Sequence, residues 1–182
     1  MYHRRLLCAF VIRFLLGIVL GALLLHWQKR YLLYQVGFLN ESTLKRLEML
    51  PFQPRVLFLF YLKKCFGYYM MLFLLSASEF RRRGIDLVSI SMGILQGAFL
   101  ATAYSRFGRW GVGLYFAAQF PGGIAWMLSF FVFYVVCQTQ TDYHIWQALL
   151  LGAGFAIAGA WAQSYVNPFL LQKFLHIFFS KI

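Results

Sequence analysis

Long apolar runs separated by short basic or polar segments dominate the pattern of this sequence. An α-helix that crosses ~30 Å of hydrocarbon needs ~20 residues, so each run can be measured against that length. We predict five spanning helices, at residues 6–27, 57–79, 85–104, 112–137 and 145–166. The predicted fold class is therefore an all-α integral membrane protein, a single bundle of about five transmembrane helices.

Two further segments are amphipathic and too short to cross. The polar connection 28–55 carries leucines at helical spacing, at positions 44, 47 and 50, which predicts a short helix on the membrane surface. In the tail, Asn167-Pro168 is typical of a helix start. Polar residues then recur four apart, at positions 172, 176 and 180. We predict a C-terminal interfacial helix over residues 168–182.

Charged residues interrupt three of the predicted spans. Arg13 lies about two turns inside the first, where we expect it either to reach back to the interface or to pair within the bundle. Lys63 and Lys64 divide the second, which predicts an oblique helix with both lysines near one interface. Asp86 is near the start of the third, where a carboxylate favours the positive end of the helix.

Composition supports the membrane assignment. Of 182 residues, 62% are hydrophobic and only 12% are charged, against roughly 25% charged in soluble domains. The net charge of +12 comes from basic residues at the ends of apolar runs, where they bind lipid headgroups. The predicted partner of this charge is the lipid bilayer, and nucleic acid is excluded. The positive-inside count by itself places the N-terminus outside.

Small residues one turn apart predict close helix packing, because they let backbones approach within the membrane. Such pairs or ladders occur in three predicted spans, at Gly17 and Gly21, at Gly93 and Gly97, and at Gly154, Ala158 and Ala162. We expect these positions to lie at contacts between helices in a tight bundle.

Polar groups inside the spans and one helix break are the remaining intramembrane features. Gln96, Gln119 and Gln163 need hydrogen-bond partners there, which indicates either interhelical bonding or a transport path. Pro121, Gly122 and Gly123 interrupt the fourth span and free backbone carbonyls. Such a break is either a packed kink or part of a binding site.

No residue pattern predicts catalysis or a cofactor. The histidines are scattered, at positions 3, 26, 144 and 176, and the cysteines are widely spaced, at positions 8, 65 and 137. No carboxylate falls in the middle of a predicted span, and there is no glycine loop of the phosphate-binding kind. We therefore predict a protein that is not an enzyme and holds no metal or cofactor.

Four stretches together resemble the stage II sporulation protein M family over nearly the whole chain. They are Gly93-Ile-Leu-Gln-Gly-Ala-Phe-Leu, Gly108-Arg-Trp-Gly111, Phe120-Pro121-Gly122-Gly123 and Gln163-Ser-Tyr-Val-Asn-Pro168. In the family these places hold a glycine-rich span, a polar turn, a Pro motif followed by an acid, and a terminal Glu-Ala-aromatic-x-Ser/Thr-Pro motif. Here Trp126 stands at the position of the acid and Gln163 at that of the Glu, so a family role that needs those carboxylates is in doubt.

The resemblance implies a multi-pass protein of the bacterial cytoplasmic membrane with a cytoplasmic N-terminus, against the charge count. It implies a non-enzymatic scaffold that anchors two extracytoplasmic cell-wall hydrolases, a lytic transglycosylase and an amidase, for peptidoglycan remodelling during sporulation and engulfment. Candidate partner-binding residues are Arg106, Arg109 and Trp110, in the turn on the extracytoplasmic side. The alternative function is a small-solute transporter, channel or permease subunit that uses the kinked fourth helix, and homo-oligomerisation also stays open.

Overall fold

A computed structural model describes residues 2–27, 41–139 and 145–180, and this part of the chain is helical without any strand. Its helices are α1 Tyr2–Trp27, α2 Glu41–Met49, α3 Pro54–Ser76, α4 Arg81–Phe107, α5 Arg109–Gln119, α6 Gly122–Thr139, α7 Ile145–Tyr165 and α8 Asn167–Ser180. The residues 28–40 of the predicted polar connection and the last two residues of the tail lie outside the described residues.

Within the described residues, five helical stretches are long and apolar enough to cross a membrane, as the sequence predicted. They are Arg5–Trp27, Pro54–Ser76, Arg81–Phe107, Gly122–Thr139 and Leu149–Ser180. The first three agree with the predicted spans to within a few residues. The fourth begins after the proline break, and the fifth takes in most of α7 and all of α8.

Side-chain contacts fix the directions of these helices. Arg13 of α1 meets Asp86 of α4 at one end of the bundle, which we call the Asp86 end. Phe178 of α8 stacks edge-on against Phe107 of α4 at the opposite end, the Phe107 end, with ring centroids 5.6 Å apart. The described chain therefore starts at the Asp86 end and finishes at the Phe107 end.

Helices α1 and α4 run parallel and touch backbone to backbone along a seam of glycines. A Cβ built on Gly17 would lie 2.8 Å from the Cα of Gly93, and one built on Gly97 would lie 2.7 Å from the Cα of Ile18. Gly21 likewise faces the backbone of α4. The four glycines of these two predicted pairs thus lie together in one contact, where no larger residue fits without moving a helix.

Helix α7 packs through a different set of small residues from the predicted ladder. Gly154 and Ala158 lie on its exposed side, and a Cβ built on Gly154 would have no neighbour within 4 Å. The prediction was wrong for these two positions. The buried side of α7 carries Gly152, Ala156, Gly159 and Ala160, while Ala162 is also buried. Small residues cover more than one face of this helix, so spacing alone could not select the packed one.

The predicted fourth span and the fifth crossing stretch of the structure, Leu149–Ser180, are both broken helices, whereas the predicted fifth span, 145–166, matches α7 alone. The fourth divides into α5 and α6 at Phe120-Pro121, where the sequence predicted a break and where the peptide bond is cis. The fifth divides into α7 and α8 after Tyr165. Helix α8 then runs along α5: Phe174 packs against Gly113, and Leu175 is only 1% exposed. The tail is therefore a helix that packs on the bundle, and its place at the membrane interface stays a prediction.

Helix α2 also packs on protein through the leucines that predicted it. Leu44 is 1% exposed and contacts Ala103, Leu114 and Leu175. The Gln172 amide of α8 donates a hydrogen bond of 2.9 Å to the carbonyl of Leu50, just beyond the C-terminal end of α2. This side of α2 faces α8 instead of the membrane surface.

An ion pair joins three helices near the Asp86 end. The Arg13 guanidinium lies 3.0 Å from a carboxylate oxygen of Asp86 and donates a hydrogen bond of 2.7 Å to the hydroxyl of Tyr134. The side-chain amide of Gln138 donates a bond of 2.9 Å to the same carboxylate. Pairing of Arg13 within the bundle, one of the two predicted outcomes, is confirmed.

Candidate functional site

The two broken spans meet at one buried side chain, Asn167. Its amide nitrogen donates a hydrogen bond of 2.7 Å to the carbonyl of Ala118, and its amide oxygen accepts one of 3.2 Å from the N–H of Gly122. In an unbroken helix that N–H would bind that same carbonyl, four residues earlier. The Asn167 amide therefore replaces the backbone hydrogen bond that the break at Pro121 removes.

A cavity of about 380 Å³ lies beside this junction, halfway along the bundle. Helices α1, α3, α4, α5, α6 and α7 all contribute to its wall. Its chemically distinctive lining residues are Gln96, Gln119, Gln163, Lys64, Tyr61 and Tyr68. Aromatic and aliphatic side chains form the rest of the wall, which is the usual composition of a ligand pocket: mainly apolar, with a few polar groups.

The structure brings together the three intramembrane glutamines that the sequence singled out. The Gln96 carbonyl oxygen accepts a hydrogen bond of 2.9 Å from the Tyr115 hydroxyl of α5, so this amide bonds between helices. The side chains of Gln119 and Gln163 lie in the space where Gly122 and Gly123 have no side chain. A Cβ on Gly122 would lie 2.5 Å from Cγ of Gln163, and one on Gly123 would lie 2.8 Å from Oε1 of Gln119.

Lys64 is the lining residue whose position the sequence reasoning missed. It is the eleventh of the 23 residues of α3, about 15 Å from the start of the helix at 1.5 Å per residue. Lys63 and Lys64 do not mark an end of the helix, because α3 extends for more than two turns on both sides of them. The sequence did contain an indication of this position. Each apolar piece beside the two lysines is too short to cross a membrane, so the lysines must lie inside the span that the two pieces form together.

A lysine at this depth is energetically costly. Insertion scales assign about 3 kcal/mol to a lysine at the centre of a spanning helix. The ammonium lies 5.0 Å from the centroid of the Phe60 ring, a cation–π contact that typically returns about 0.5–2 kcal/mol. Lys63 is exposed and does not line the cavity.

Trp126 forms part of the cavity wall opposite α3. A Cβ on Gly159 would lie 2.7 Å from the indole Cδ1, so that glycine leaves the room in which the ring lies. Trp126 stands where the resembled family carries an acid, and none of the described residues that line the cavity is acidic. Lys64 is the only basic residue among them.

The predicted partner-binding residues lie away from this cavity, around the turn at the Phe107 end. Gly108 adopts a φ of 55°, which permits the sharp reversal between α4 and α5. The Trp110 ring packs edge-on against Phe174 and Phe178 of α8, at centroid distances of 6.0 and 5.8 Å. Arg109 is exposed and Arg106 is half-buried. Trp110 therefore has a structural contact that the sequence did not indicate.

The described part of the chain contains no group of three or more His, Cys, Asp or Glu side chains able to hold a metal ion. Cys65 and Cys137 are buried in different parts of the bundle, and Cys8 is exposed. His144 lies outside the described residues. His176 is at the Phe107 end, with its ring nitrogen 3.1 Å from the Glu48 carboxylate.

No protein-family model matches the chain, and no curated protein or solved structure is significantly similar to it. Three of the stretches that carry the resemblance noted above nevertheless lie together. The Pro motif and the terminal motif meet at Asn167, and Gln96 of the glycine-rich stretch lines the adjoining cavity.

Proposed function

We propose that the chain is a non-enzymatic membrane scaffold for extracytoplasmic peptidoglycan hydrolases, a lytic transglycosylase and an amidase. The proposed setting is the bacterial cytoplasmic membrane during forespore engulfment, as in the family that the motifs resemble. One structural observation supports it: α2, α5 and α8 pack into a single unit at the Phe107 end. We call this unit the platform.

Several independent contacts hold the platform together. Its core is a cluster of apolar side chains from α2, α4, α5 and α8 that includes Leu44, Leu114 and Leu175. Gln172 bonds the end of α2, and His176 pairs with Glu48 across the same interface. A scaffold needs such a preorganised surface, because binding through a mobile segment loses affinity to the ordering of that segment.

The outer surface of the platform is basic and partly apolar. Its exposed basic residues are Lys45, Arg46, Arg109 and Lys173. Met49 lies beside them and is 82% exposed. Arginine is frequent among the residues that dominate protein interfaces. With a cytoplasmic N-terminus, this surface faces the compartment in which wall hydrolases act.

Affinity purification of the tagged full-length chain from sporulating cells tests the proposal. The variant Arg46→Ala with Arg109→Ala should lose the hydrolases at an unchanged level of membrane protein. The matched control is Arg82→Ala with Arg83→Ala, which removes two exposed arginines from the opposite end of the bundle. Trp110 is left intact because its replacement would also disturb α8. Recovery of the hydrolases by both variants, or by neither, contradicts recognition by the platform.

Reporter fusions test the orientation on which the proposal depends. A cytoplasmic reporter should be active at the N-terminus, and an extracytoplasmic reporter at the C-terminus. Both ends on one side of the membrane would contradict the five-span arrangement. The reverse orientation would place the platform in the cytoplasm and exclude its contact with wall enzymes.

The cavity favours a second candidate function, a small-solute transporter, channel or permease subunit. Broken helices with freed backbone groups form the binding sites of many transporters. Purified protein in liposomes can be tested for flux of chloride and inorganic phosphate, since Lys64 is the only charged residue among the described residues of the lining. Under this alternative Gln119→Leu should abolish the flux, whereas a scaffold should show no flux and keep its hydrolases in the same variant.

A further inference from the structure

We infer that the cavity is a binding site for an acidic membrane lipid, which enters between α3 and α4 and places its anionic group at Lys64. This inference is independent of the scaffold proposal, because it concerns the centre of the bundle and not the platform. In this site Lys64, Gln119 and Gln163 would contact the anionic group of the lipid, and the apolar wall would contact an acyl chain.

The opening of the cavity faces outward, toward the side of the bundle. Leu95 of α4 lines the cavity and is 71% exposed, and Lys64 of α3 lines it and is also exposed. Both are far from the ends of their helices, so a membrane-spanning bundle would present this opening to acyl chains. A ligand from the bilayer can therefore reach the site laterally, without passing through either end of the bundle.

The apolar wall suits a hydrocarbon chain. Phe10, Met92, Met127 and Phe130 line the cavity from α1, α4 and α6. Methionine and phenylalanine side chains give a smooth apolar contact, and methionine adapts its shape to the ligand. The volume of about 380 Å³ is within the range of ligand pockets, roughly 300–1,000 Å³.

The polar groups specify the charge of the ligand. Tyr61 and Tyr68 lie about one turn before and after Lys64 on α3 and line the same cavity. Hydroxyl groups, amide N–H groups and an ammonium can all donate hydrogen bonds to a phosphate or carboxylate. The described lining residues include one lysine and no acidic residue, so an anion is the complementary ligand. Binding of an anion would pair the Lys64 ammonium, whose unpaired charge is costly within a spanning helix.

Tryptophan quenching in nanodiscs tests this site. The full-length protein is placed in phosphatidylcholine nanodiscs that contain a minor fraction of either acyl-brominated phosphatidylglycerol or acyl-brominated phosphatidylcholine. Trp126 reports contact of the brominated chain with the cavity wall, and Trp126→Phe subtracts the signal of the other tryptophans. We expect about fivefold preference for the acidic lipid at Trp126, the enrichment given by a single lysine–anion contact.

Lys63 provides a matched control, because Lys63→Gln removes the same charge from the adjacent position without altering the lining. Lys64→Gln should abolish the preference, and Lys63→Gln should retain it. Equal quenching of Trp126 by the two lipids in the unmodified protein overturns the inference without any variant. Equal effects of the two lysine variants overturn it too.

Inorganic phosphate, added at constant ionic strength, separates a lipid from a free anion. Quenching that persists in phosphate supports the lipid. Displacement by phosphate overturns the lipid assignment and identifies a small soluble anion as the ligand. The scaffold proposal is read separately, from hydrolase recovery, and neither result determines the other.

Discussion

The seam between α1 and α4 and the junction between the two broken spans join helices in opposite ways. At the seam, four glycines bring backbones into direct contact, with no polar side chain between them. At the junction, the backbones are interrupted and a single amide, that of Asn167, restores their hydrogen bonds. The seam leaves no space, whereas the junction lies beside a cavity of about 380 Å³.

The difference shows how this bundle combines rigidity with a cavity. Close packing of unbroken helices in lipid depends on small residues and van der Waals contact. A broken helix exposes backbone groups that must be satisfied inside the protein, and the side chains that satisfy them prevent close packing. The polar residues and the open space therefore occur at the same place for one physical reason.

The largest expected effect is at the seam. Gly93→Leu puts a branched side chain against the backbone of α1, where even a Cβ would lie 2.9 Å from the Cα of Gly17. We expect a loss of at least about 3 kcal/mol of stability, which is the upper range for overpacking. Detergent chromatography of a fluorescent fusion measures the folded fraction. Gly154→Leu is the control, since open space surrounds that position; an equal loss in both variants would contradict the seam.

The junction should be the next most sensitive region. Asn167→Ala leaves the carbonyl of Ala118 and the N–H of Gly122 without their partner, at a cost of about 2 kcal/mol. Titration with sodium dodecyl sulfate measures the change in unfolding free energy. Ser164→Ala removes an equally buried hydroxyl that bonds only within its own helix, to Ala160, and should cost less than half as much. Similar losses of unfolding free energy in the two variants would show that Asn167 has no particular role at the break.

Disruption of the ion pair at the Asp86 end should have a smaller effect on stability. Arg13 and Asp86 are about one-third and one-quarter exposed, so their interaction is partly screened by solvent. We expect a coupling energy of about 1 kcal/mol from the double-mutant cycle of Arg13→Gln and Asp86→Asn. Additive single effects in that cycle would mean that the pair contributes nothing to the contact of α1 with α4.

The smallest effect should be within the platform. Gln172→Leu removes the hydrogen bond to the end of α2 but keeps the volume of the side chain, and should cost about 0.5 kcal/mol. Hydrogen exchange of the α2 backbone amides provides a local measurement of α2 docking. His176→Ala is the comparison, because that ring is largely exposed and its pairing with Glu48 is solvated. A greater loss of α2 docking in His176→Ala than in Gln172→Leu would contradict this prediction.

The span count and the proline break could be predicted because each depends on residues adjacent in sequence. Apolar length identified the crossing helices, and Pro121 cannot donate the backbone hydrogen bond that a continuous helix needs. The rotation of each helix about its axis could not be predicted. Gly154 and Gly152 both belong to small-residue patterns on α7, and only the packing against α3 and α6 decides which one is buried.

The candidate site was predictable by residue type but not as an assembly. Gln96, Gln119 and Gln163 were each notable as amides inside a span, yet no local pattern shows that they face one cavity. Lys64 was assigned to an interface because a central lysine is rare in a spanning helix. The tail was assigned to the membrane surface because its length excludes a separate crossing, while its packing along α5 depends on the junction at Asn167.

The position of Asn167 in the chain also sets an order of events during synthesis. Ribosomes make the break at Gly122 well before they make the residue that satisfies it, 45 positions later. Until Asn167 is made, the carbonyl of Ala118 and the N–H of Gly122 lack the partner that they have in the folded protein. A chain that stops before Asn167 would never gain this partner, although four of the five crossing stretches of the described residues come earlier in the sequence. The break between α5 and α6 can therefore be satisfied only after most of the bundle has been synthesised.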